Sequence, residues 1–252
     1  MKTVFIYGTA GSGKSLLASK LRDYWSGMGT FAAVLNLDPG AGDLPYECDV
    51  DVRDTVDIPS VMSKYGLGPN GALVMAGDLV AAGCGALREE VDSVNPDYLI
   101  VDTPGQVELF AYRSSGRFIA DNLTSEERSA LFLFDGALVT EPANFASIAL
   151  LAASVRLRMG IAAIPALTKT DIVGERTAQI LGWSENPGAL EAAISGSADG
   201  ETYALATSIL RGLEGADLVH GLVPVSGVTG EGLEPLAGAL GRILNLGEEV
   251  ED

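Results

Sequence analysis

The chain has 252 residues, of which 47% are apolar, so it is long enough for one large α/β domain or two small ones with a buried core. Its net charge of −18, with only 16 Lys and Arg residues, argues against binding to nucleic acid or to an anionic membrane surface. The sequence shows no membrane-spanning apolar run and no signal-peptide pattern, and Cys48 and Cys84 have neither metal-binding nor redox spacing. We therefore expect a cytoplasmic protein that folds as a single domain over residues 1–252.

The first motif lies at residues 8–15, between a predicted strand and a predicted helix. An apolar run at residues 4–7 leads into the spacing Gly-x-x-x-x-Gly-Lys-Ser, and a helical pattern over about residues 13–26 follows. Glycines let the backbone curl around an anion, so that N–H groups face phosphate oxygens. We expect Lys14 to reach the β- and γ-phosphates and the Ser15 hydroxyl to bind Mg²⁺. The predicted nucleotide-binding residues are Ala10, Gly11, Ser12, Gly13, Lys14 and Ser15.

A second strand is predicted at residues 31–37, and Asp38 follows it at the carboxyl edge of the sheet. That edge carries the ligand in open α/β sheets, although an aspartate before proline is equally typical of a turn. An insert of about residues 40–95 comes next, with several acidic residues and predicted helices over residues 58–65 and about 86–93. Inserts of this length usually serve function or contact a partner, although scattered carboxylates are most often simply solvated.

A buried strand at residues 96–102 ends in Asp102 and continues into Thr-Pro-Gly-Gln. We expect Asp102 to hold Mg²⁺ through water and the Gly105 N–H to sense the γ-phosphate, while Gln106 or Glu108 orients the attacking water. A lone Asp-x-x-Gly is a weak signal, but after a phosphate-binding loop it is a strong one. Loss of the γ-phosphate would release this segment, which is the behaviour of a switch.

Two further strands, at residues 130–134 and 161–167, flank a helix over about residues 144–158. The later strand runs into Thr-Lys-Thr-Asp at residues 168–171. Asp171 can accept hydrogen bonds from the N1–H and the exocyclic amine of guanine, while the stem of Lys169 lies along the base. Adenine lacks this donor pair and would leave a buried carboxylate unpaired. The alternative is that Asp171 is a polar helix cap.

The rest of the chain, from residue 172, shows helical patterns and then a last strand at residues 218–225. His220, the only histidine, is interpreted as a core or edge residue of that strand. A closing helix is predicted to start at residues 229–233. Just after the last strand, we expect backbone N–H groups at Ser226, Gly227 and Val228 to contact the guanine carbonyl.

Strands and helices alternate along the chain, which predicts a mostly parallel sheet with helices on both faces. Together with the phosphate-binding loop, this pattern indicates a three-layer α/β fold of the P-loop NTPase type, with a helical insert.

With these motifs in this order, the sequence resembles the GPN-loop GTPases in their compact archaeal form, over essentially the whole chain. The segments that carry the resemblance are residues 8–15, 36–39, 67–71, 102–108 and 168–171. Gly-Pro-Asn at residues 68–70 alone is an ordinary turn composition, and its position among the other motifs is what counts. The resemblance implies a homodimer in which Asn70 of this GPN loop contacts the γ-phosphate or attacking water of the other subunit. It also implies that Asp38 acts near Mg²⁺ and that water.

The resemblance thus implies Mg²⁺-dependent hydrolysis of GTP to GDP and phosphate. The candidate catalytic residues are Lys14, Asp38, Asn70, Gln106 and Glu108, and the candidate metal-binding residues are Ser15, Asp38 and Asp102. A compatible role is a nucleotide-gated assembly or chaperone factor for an unknown protein client, in which slow hydrolysis times the release of that client. The alternative is a P-loop kinase or ATPase acting on a small metabolite, which would have no use for the motif at residues 168–171.

Three positions depart from the family pattern. Thr168 stands where most G proteins have Asn, which predicts a looser base-binding loop. Gly40 stands where the family more often has Ala. Ser-Gly-Val at residues 226–228 replaces Ser-Ala-Lys, so the lysine that would stack on the base is absent. We therefore expect a guanine preference that is weaker than in Ras-like proteins but retained through Asp171.

Overall fold

The computed structural model describes residues 1–123, 127–197, 200–213 and 221–245. Its strands form one sheet in the order β3-β2-β4-β1-β5-β6-β7, and all neighbouring strands are parallel. They are β1 (Lys2–Gly8), β2 (Ala32–Asn36), β3 (Val50–Asp51), β4 (Tyr98–Asp102), β5 (Arg128–Asp135), β6 (Ala163–Thr168) and β7 (Val223–Pro224). Parallel neighbours require crossover connections, which here are mostly helical. The predicted P-loop NTPase fold is confirmed.

The helices connect the strands and cover the sheet. They are α1 (Lys14–Gly27), α2 (Ile58–Tyr65), α3 (Pro69–Ala82), α4 (Cys84–Val94), α5 (Val107–Ala111), α6 (Ser114–Leu123), α7 (Pro142–Met159), α8 (Thr170–Val173), α9 (Arg176–Glu185), α10 (Pro187–Ser197), α11 (Gly200–Leu213) and α12 (Leu233–Leu244). In the described residues no single helix is long and apolar enough to cross a membrane, and α3 and α4 pass that test only as a pair bent by 66°.

Two apolar clusters fill the two faces of the sheet, because side chains alternate along each strand. In β1, Phe5 and Tyr7 belong to a cluster with residues of α3 and α7. Val4 and Ile6 belong to the other cluster, with residues of α1 and α12. Each of these four side chains is at most 1% exposed, and burial of each contributes about 1.5–3 kcal/mol. The central strand that leads into the phosphate-binding motif is thus fixed from both faces.

The helix predicted over residues 58–65 is confirmed residue for residue, and its ends have local causes. The Asp57 side chain accepts a hydrogen bond from the Ser60 N–H at 2.9 Å, which caps the first turn. Gly66 ends the helix in the left-handed conformation, with φ of 63°.

The GPN sequence at residues 68–70, whose composition is typical of a turn, begins a helix. Gly68 is the N-cap of α3, and Pro69 occupies the first helical position, where its missing N–H is no loss. Asn70 is therefore the second residue of a helix. The residues of α3 after Asn70 are apolar on almost every side of the helix. They therefore lack the 3.6-residue alternation of apolar and polar residues from which an amphipathic helix is predicted. The sequence prediction also lacked β3, α5 and α6.

Among the described residues of the last predicted strand, only Val223–Pro224 form β7. His220 lies outside the described residues. The closing helix begins at Leu233, the last residue of the predicted range for its start, because Gly230 and Gly232 both adopt φ of 82°, which is incompatible with a right-handed helix.

Candidate functional site

Residues 8–15 form a tight loop between β1 and α1. Gly11 and Gly13 adopt left-handed φ values of 76° and 93°, a conformation that a side chain would strain. The Ser12 N–H donates to the Thr9 carbonyl at 3.2 Å, which closes the turn. The loop has the geometry of an anion-binding site at a helix N-terminus.

Lys14 is buried beneath this loop. Its Nζ donates to the carbonyl oxygens of Gly8 and Thr9 at 3.0 and 2.9 Å. Burial lowers the pKa of the ammonium group, whereas nearby carboxylates favour its charged form. These carboxylates are Asp102, Asp38 and Glu108. A cation held in this position suits the phosphate contact that the sequence predicts.

Asp102 ends β4 and is 2% exposed. Its Oδ2 accepts a hydrogen bond from the Tyr46 hydroxyl at 2.7 Å, whereas its Oδ1 has no hydrogen-bond partner of good geometry. Burial raises the pKa of this carboxyl, and the nearby hydroxyls of Ser15 and Tyr46 oppose that change. Burial and the Asp102 charge raise the pKa of Tyr46, so its hydroxyl remains a donor.

These oxygen atoms fit a bound Mg²⁺. Mg²⁺ prefers oxygen ligands and is usually held by one or two carboxylates together with water and substrate phosphates. Asp102 offers a buried oxygen that lacks a partner, and Ser15 offers a hydroxyl beside it. Among the described residues no three His, Cys, Asp or Glu side chains are grouped as a metal cage, so phosphates and water would complete the shell.

Asp38 holds two loops together. Its Oδ1 accepts from the Gly40 N–H at 2.9 Å, and its Oδ2 accepts from the Gly105 N–H at 3.0 Å. Asp38 therefore forms the turn that the sequence predicted, and whether it also acts on a ligand stays a prediction. The Gly105 N–H, which we predicted to sense the γ-phosphate, donates to Asp38 in this structure.

A network behind Asp38, which the sequence did not indicate, fixes the Asp38 loop (residues 37–42). The Asn36 side chain accepts from the Asp38 N–H at 3.0 Å and donates to Asp51 at 2.9 Å. Arg53 pairs with Asp51 at 2.7 Å and donates to the carbonyls of residues 41 and 42 at 3.2 and 2.7 Å. The acidic insert therefore supplies structural groups to the site, rather than only solvated carboxylates.

This network makes a pH-dependent contribution to stability. Burial alone would raise the pKa of Asp51, but hydrogen bonds from Arg53 and Asn36 outweigh it and lower the pKa to about 2. Because the folded-state pKa lies below the unfolded value, the stabilisation is complete above about pH 5 and is lost toward about pH 2. Over that range, wild type should lose up to about 2 kcal/mol more unfolding free energy than Asp51→Asn, measured by urea denaturation. Exposed Asp54→Asn is the control, and parallel curves for wild type and Asp51→Asn would contradict the prediction.

The base-binding loop (residues 168–171) is connected to the phosphate-binding loop by a side-chain hydrogen bond. The buried Thr168 hydroxyl donates to the Ser12 carbonyl at 2.9 Å. Lys169 adopts φ of 60°, and its Nζ pairs with Asp135 at 2.7 Å. Thr168 thus connects the two loops, and Asp135 positions the lysine whose stem we expect along the base.

Asp171 is oriented by Ser226. The buried Ser226 hydroxyl donates to Asp171 Oδ1 at 2.6 Å and accepts from the N–H groups of Val228 and Thr229 at 3.2 and 3.1 Å. The Ser226 N–H itself donates to the Glu231 carbonyl. Two of the three N–H groups that we predicted for the guanine carbonyl therefore have internal partners. Asp171 is exposed in this structure, whereas the selectivity expectation assumed a buried carboxylate.

The three predicted metal residues and most of the predicted phosphate residues, but not Ala10 or Ser12, line one cavity of about 250 Å³. Its lining comes from three segments at the carboxyl edge of the sheet and includes Gly11, Gly13, Lys14, Ser15, Asp38, Asp102 and Gly105. Gln106 lies on an adjacent apolar cavity of about 260 Å³, together with Asp38, Leu73 and Ala10. Glu108 is exposed but close enough to act on Lys14. Asn70 is exposed at the start of α3 and is not part of the lining of either cavity.

Comparisons with known proteins show which family this chain resembles. A family model described as "Conserved hypothetical ATP binding protein" matches residues 6–245. GPN-loop GTPase 1 of Dictyostelium discoideum is 34% identical over 179 residues, which are 70% of this chain and 45% of that protein. GPN-loop GTPase QQT2 of Arabidopsis thaliana is 31% identical over 234 residues, 91% of this chain and 60% of that protein. The chain thus spans about half the length of these relatives.

A solved structure extends the likeness to the whole chain. The crystal structure of a GTPase from Pyrococcus abyssi, in its apo form, matches with a TM-score of 0.84 and 27% sequence identity, and the match covers 96% of each chain. The resemblance seen in the motifs is therefore confirmed by sequence and by fold. The chain belongs to the GPN-loop GTPase family.

Proposed function

We propose that the protein hydrolyses GTP to GDP and phosphate with Mg²⁺, as a homodimer, and acts as a nucleotide-gated switch in the assembly or chaperoning of a client protein. The observation that supports hydrolysis most directly is the convergence of Lys14, Ser15, Asp38 and Asp102 on one cavity. Phosphoryl transfer requires positioning and charge stabilisation rather than covalent chemistry, and these groups supply both.

In this proposal Lys14 and the N–H groups of residues 11–15 bind the phosphates, and Ser15 and Asp102 hold Mg²⁺. The metal, when bound, neutralises charge that develops on the phosphate oxygens. The Gly105 N–H turns from Asp38 to the γ-phosphate, since one N–H cannot serve both acceptors well. Asp38 is then free to orient the attacking water, a role that Gln106 or Glu108 can also fill.

Guanine recognition rests on Asp171. The Ser226 hydroxyl occupies one oxygen of this carboxylate at 2.6 Å and so fixes its orientation before the base arrives. The carboxylate then accepts from the two adjacent donors of guanine, which adenine does not offer. This chemistry supports GTP, although the family model carries a description as an ATP-binding protein.

A contact between the Asp38 loop and α3 supports the switch role. A β-carbon at Gly40 would lie 2.8 Å from Cδ2 of Leu73, so the loop backbone and the helix are closely packed. A movement of Asp38 and Gly40 on loss of the γ-phosphate therefore displaces Leu73 on α3. The same helix begins with the GPN sequence at residues 68–70.

The kinase alternative gains no support from the described residues. It would need arginines as a lid over the phosphates, and the 110–160 region contains five. Arg113 pairs with Asp78, and Arg158 stacks on the Tyr112 ring, 4.3 Å from its centroid. The lining of the phosphate cavity contains none of the five arginines Arg113, Arg117, Arg128, Arg156 and Arg158.

Single-turnover GTP hydrolysis against protein concentration tests the proposal, with wild type beside Asn70→Ala. We expect the rate per site to rise with concentration, and Asn70→Ala to slow hydrolysis about 100-fold with little change in GTP affinity, because it removes a group supplied by the partner. Exposed Gln179→Ala on α9 is the control. No GTP turnover by wild type would overturn the hydrolysis proposal. A concentration-independent rate that Asn70→Ala leaves unchanged would overturn only the dimeric site.

A further inference from the structure

Tyr46 lies within the insert, eight residues after Asp38. Its side chain is 8% exposed, and it belongs to the apolar cluster that contains Leu17, Leu21 and Trp25 of α1. Its hydroxyl donates a hydrogen bond to Oδ2 of Asp102 at 2.7 Å. A residue of the insert thus contacts the carboxylate that we assign to the metal.

The backbone on both sides of Tyr46 is fixed to α1. The Ser19 hydroxyl donates to the Pro45 carbonyl at 3.2 Å, and Arg22 donates to the Glu47 carbonyl at 2.8 Å. The first turn of α1 carries Lys14 and Ser15. The tyrosine hydroxyl is therefore held by the same helix that positions the phosphate-binding lysine and the hydroxyl assigned to the metal.

The contact determines which oxygen of Asp102 is available. Oδ2 is engaged by Tyr46, and Oδ1 is buried without a good hydrogen-bond partner. Rotation of the carboxylate would break a charge-assisted hydrogen bond, which is stronger than one between neutral groups. Of the two oxygens of Asp102, only Oδ1 therefore remains available to a further partner.

We propose that Tyr46 is a positioning residue for the metal site, holding Oδ2 of Asp102 so that Oδ1 alone faces the Mg²⁺ shell. This inference rests on the proposed function, because it assumes that Asp102 acts on Mg²⁺. Groups that orient metal-binding side chains typically alter metal affinity 10- to 100-fold when they are removed.

The need of a buried tyrosine hydroxyl for a hydrogen-bond partner does not by itself explain the contact between Tyr46 and Asp102. The Tyr7 hydroxyl is also buried, and it has no hydrogen-bond partner among the described residues. This fold therefore accepts a buried tyrosine without a partner. At position 46 a phenylalanine would fill the same apolar space, so what the hydroxyl adds is its bond to Asp102.

The test measures metal affinity rather than activity. The melting temperature of the complex with saturating GDP is followed as MgCl₂ is added from a chelated start, for wild type, Tyr46→Phe, Tyr46→Met and Tyr98→Phe. Tyr98 stacks on Trp25 in the same cluster, at the far end of β4 from Asp102, and is the matched control. We expect both Tyr46 variants to need at least about tenfold more Mg²⁺ for half of the stabilisation. The Mg²⁺ concentration that Tyr98→Phe needs should equal that of wild type. The GDP affinity without metal should be the same in all four proteins.

Melting of the metal-free, nucleotide-free proteins measures any purely structural loss separately. A wild-type Mg²⁺ midpoint in both Tyr46 variants would overturn the positioning role, however much their melting temperatures fall. If Mg²⁺ failed to stabilise the wild-type complex with GDP, the metal role of Asp102 would be wrong, and this inference with it. If wild type failed to bind GDP, the proposed function would be overturned at its first step.

Discussion

Replacing Lys14 by methionine is expected to reduce single-turnover GTP hydrolysis roughly a thousandfold, because it removes the cation nearest the transferring phosphate. Methionine has a similar length and fills the space of the aliphatic stem. The ammonium group is buried and also binds the carbonyl oxygens of Gly8 and Thr9. The substitution therefore leaves two carbonyl oxygens without that donor, and the melting temperature of the free protein should fall as well.

A matched substitution separates the two effects. Lys20→Met removes a cation from the same helix, α1, without a contact to the phosphate cavity. We expect it to hydrolyse GTP at a rate close to wild type. Hydrolysis by Lys14→Met within tenfold of wild type, at saturating GTP, would contradict the role of Lys14.

The second large effect is expected on guanine binding when Asp171 is replaced. Asp171→Asn should weaken GTP binding roughly a thousandfold, because guanine requires two acceptor oxygens and the amide replaces one of them with an NH₂ donor. Xanthosine triphosphate carries a carbonyl oxygen in place of the guanine amine, so the same variant should bind it more tightly than wild type does. Ser226 can still donate to the side-chain oxygen of asparagine, which preserves the orientation seen at 2.6 Å.

Binding of both nucleotides is measured by competition against a fluorescent GDP analogue, and exposed Glu231→Gln provides the same change of charge in a neighbouring loop. We expect this control to leave the preference for guanine unchanged. Equal losses for GTP and xanthosine triphosphate in Asp171→Asn would indicate a damaged loop rather than base recognition. An unchanged preference for GTP would show that Asp171 does not recognise the base.

The features that were predictable from sequence are those whose cause is local. The motif at residues 8–15 combines glycines that need left-handed φ with a lysine and a serine at the start of a helix, and all of these are adjacent in the chain. The strands β1, β4 and β5 are continuous apolar runs because both of their faces are buried. The helix at residues 58–65 carries its own cap in Asp57 and its own terminator in Gly66.

The predictions that failed concern segments whose local pattern is ambiguous. Helix α3 is apolar on almost every side, so its sequence shows no polar face. Strand β3 has only two residues and exists because Leu35 and Asn36 of β2 pair with it. A strand of that length has no periodicity from which it could be predicted.

The sequence by itself determined the order of the motifs, the phosphate-binding loop, and the carboxylates and base-binding residues at the ends of strands. Only the tertiary structure decided which groups orient these side chains. Tyr46 is hydrogen-bonded to Asp102, 56 residues away in the sequence, and Ser226 to Asp171, 55 residues away. Such pairs depend on the order of strands in the sheet and on the paths of long connections, which no spacing along the chain specifies. The sequence thus determined the chemistry available at the site, whereas the packing of distant segments determined its orientation.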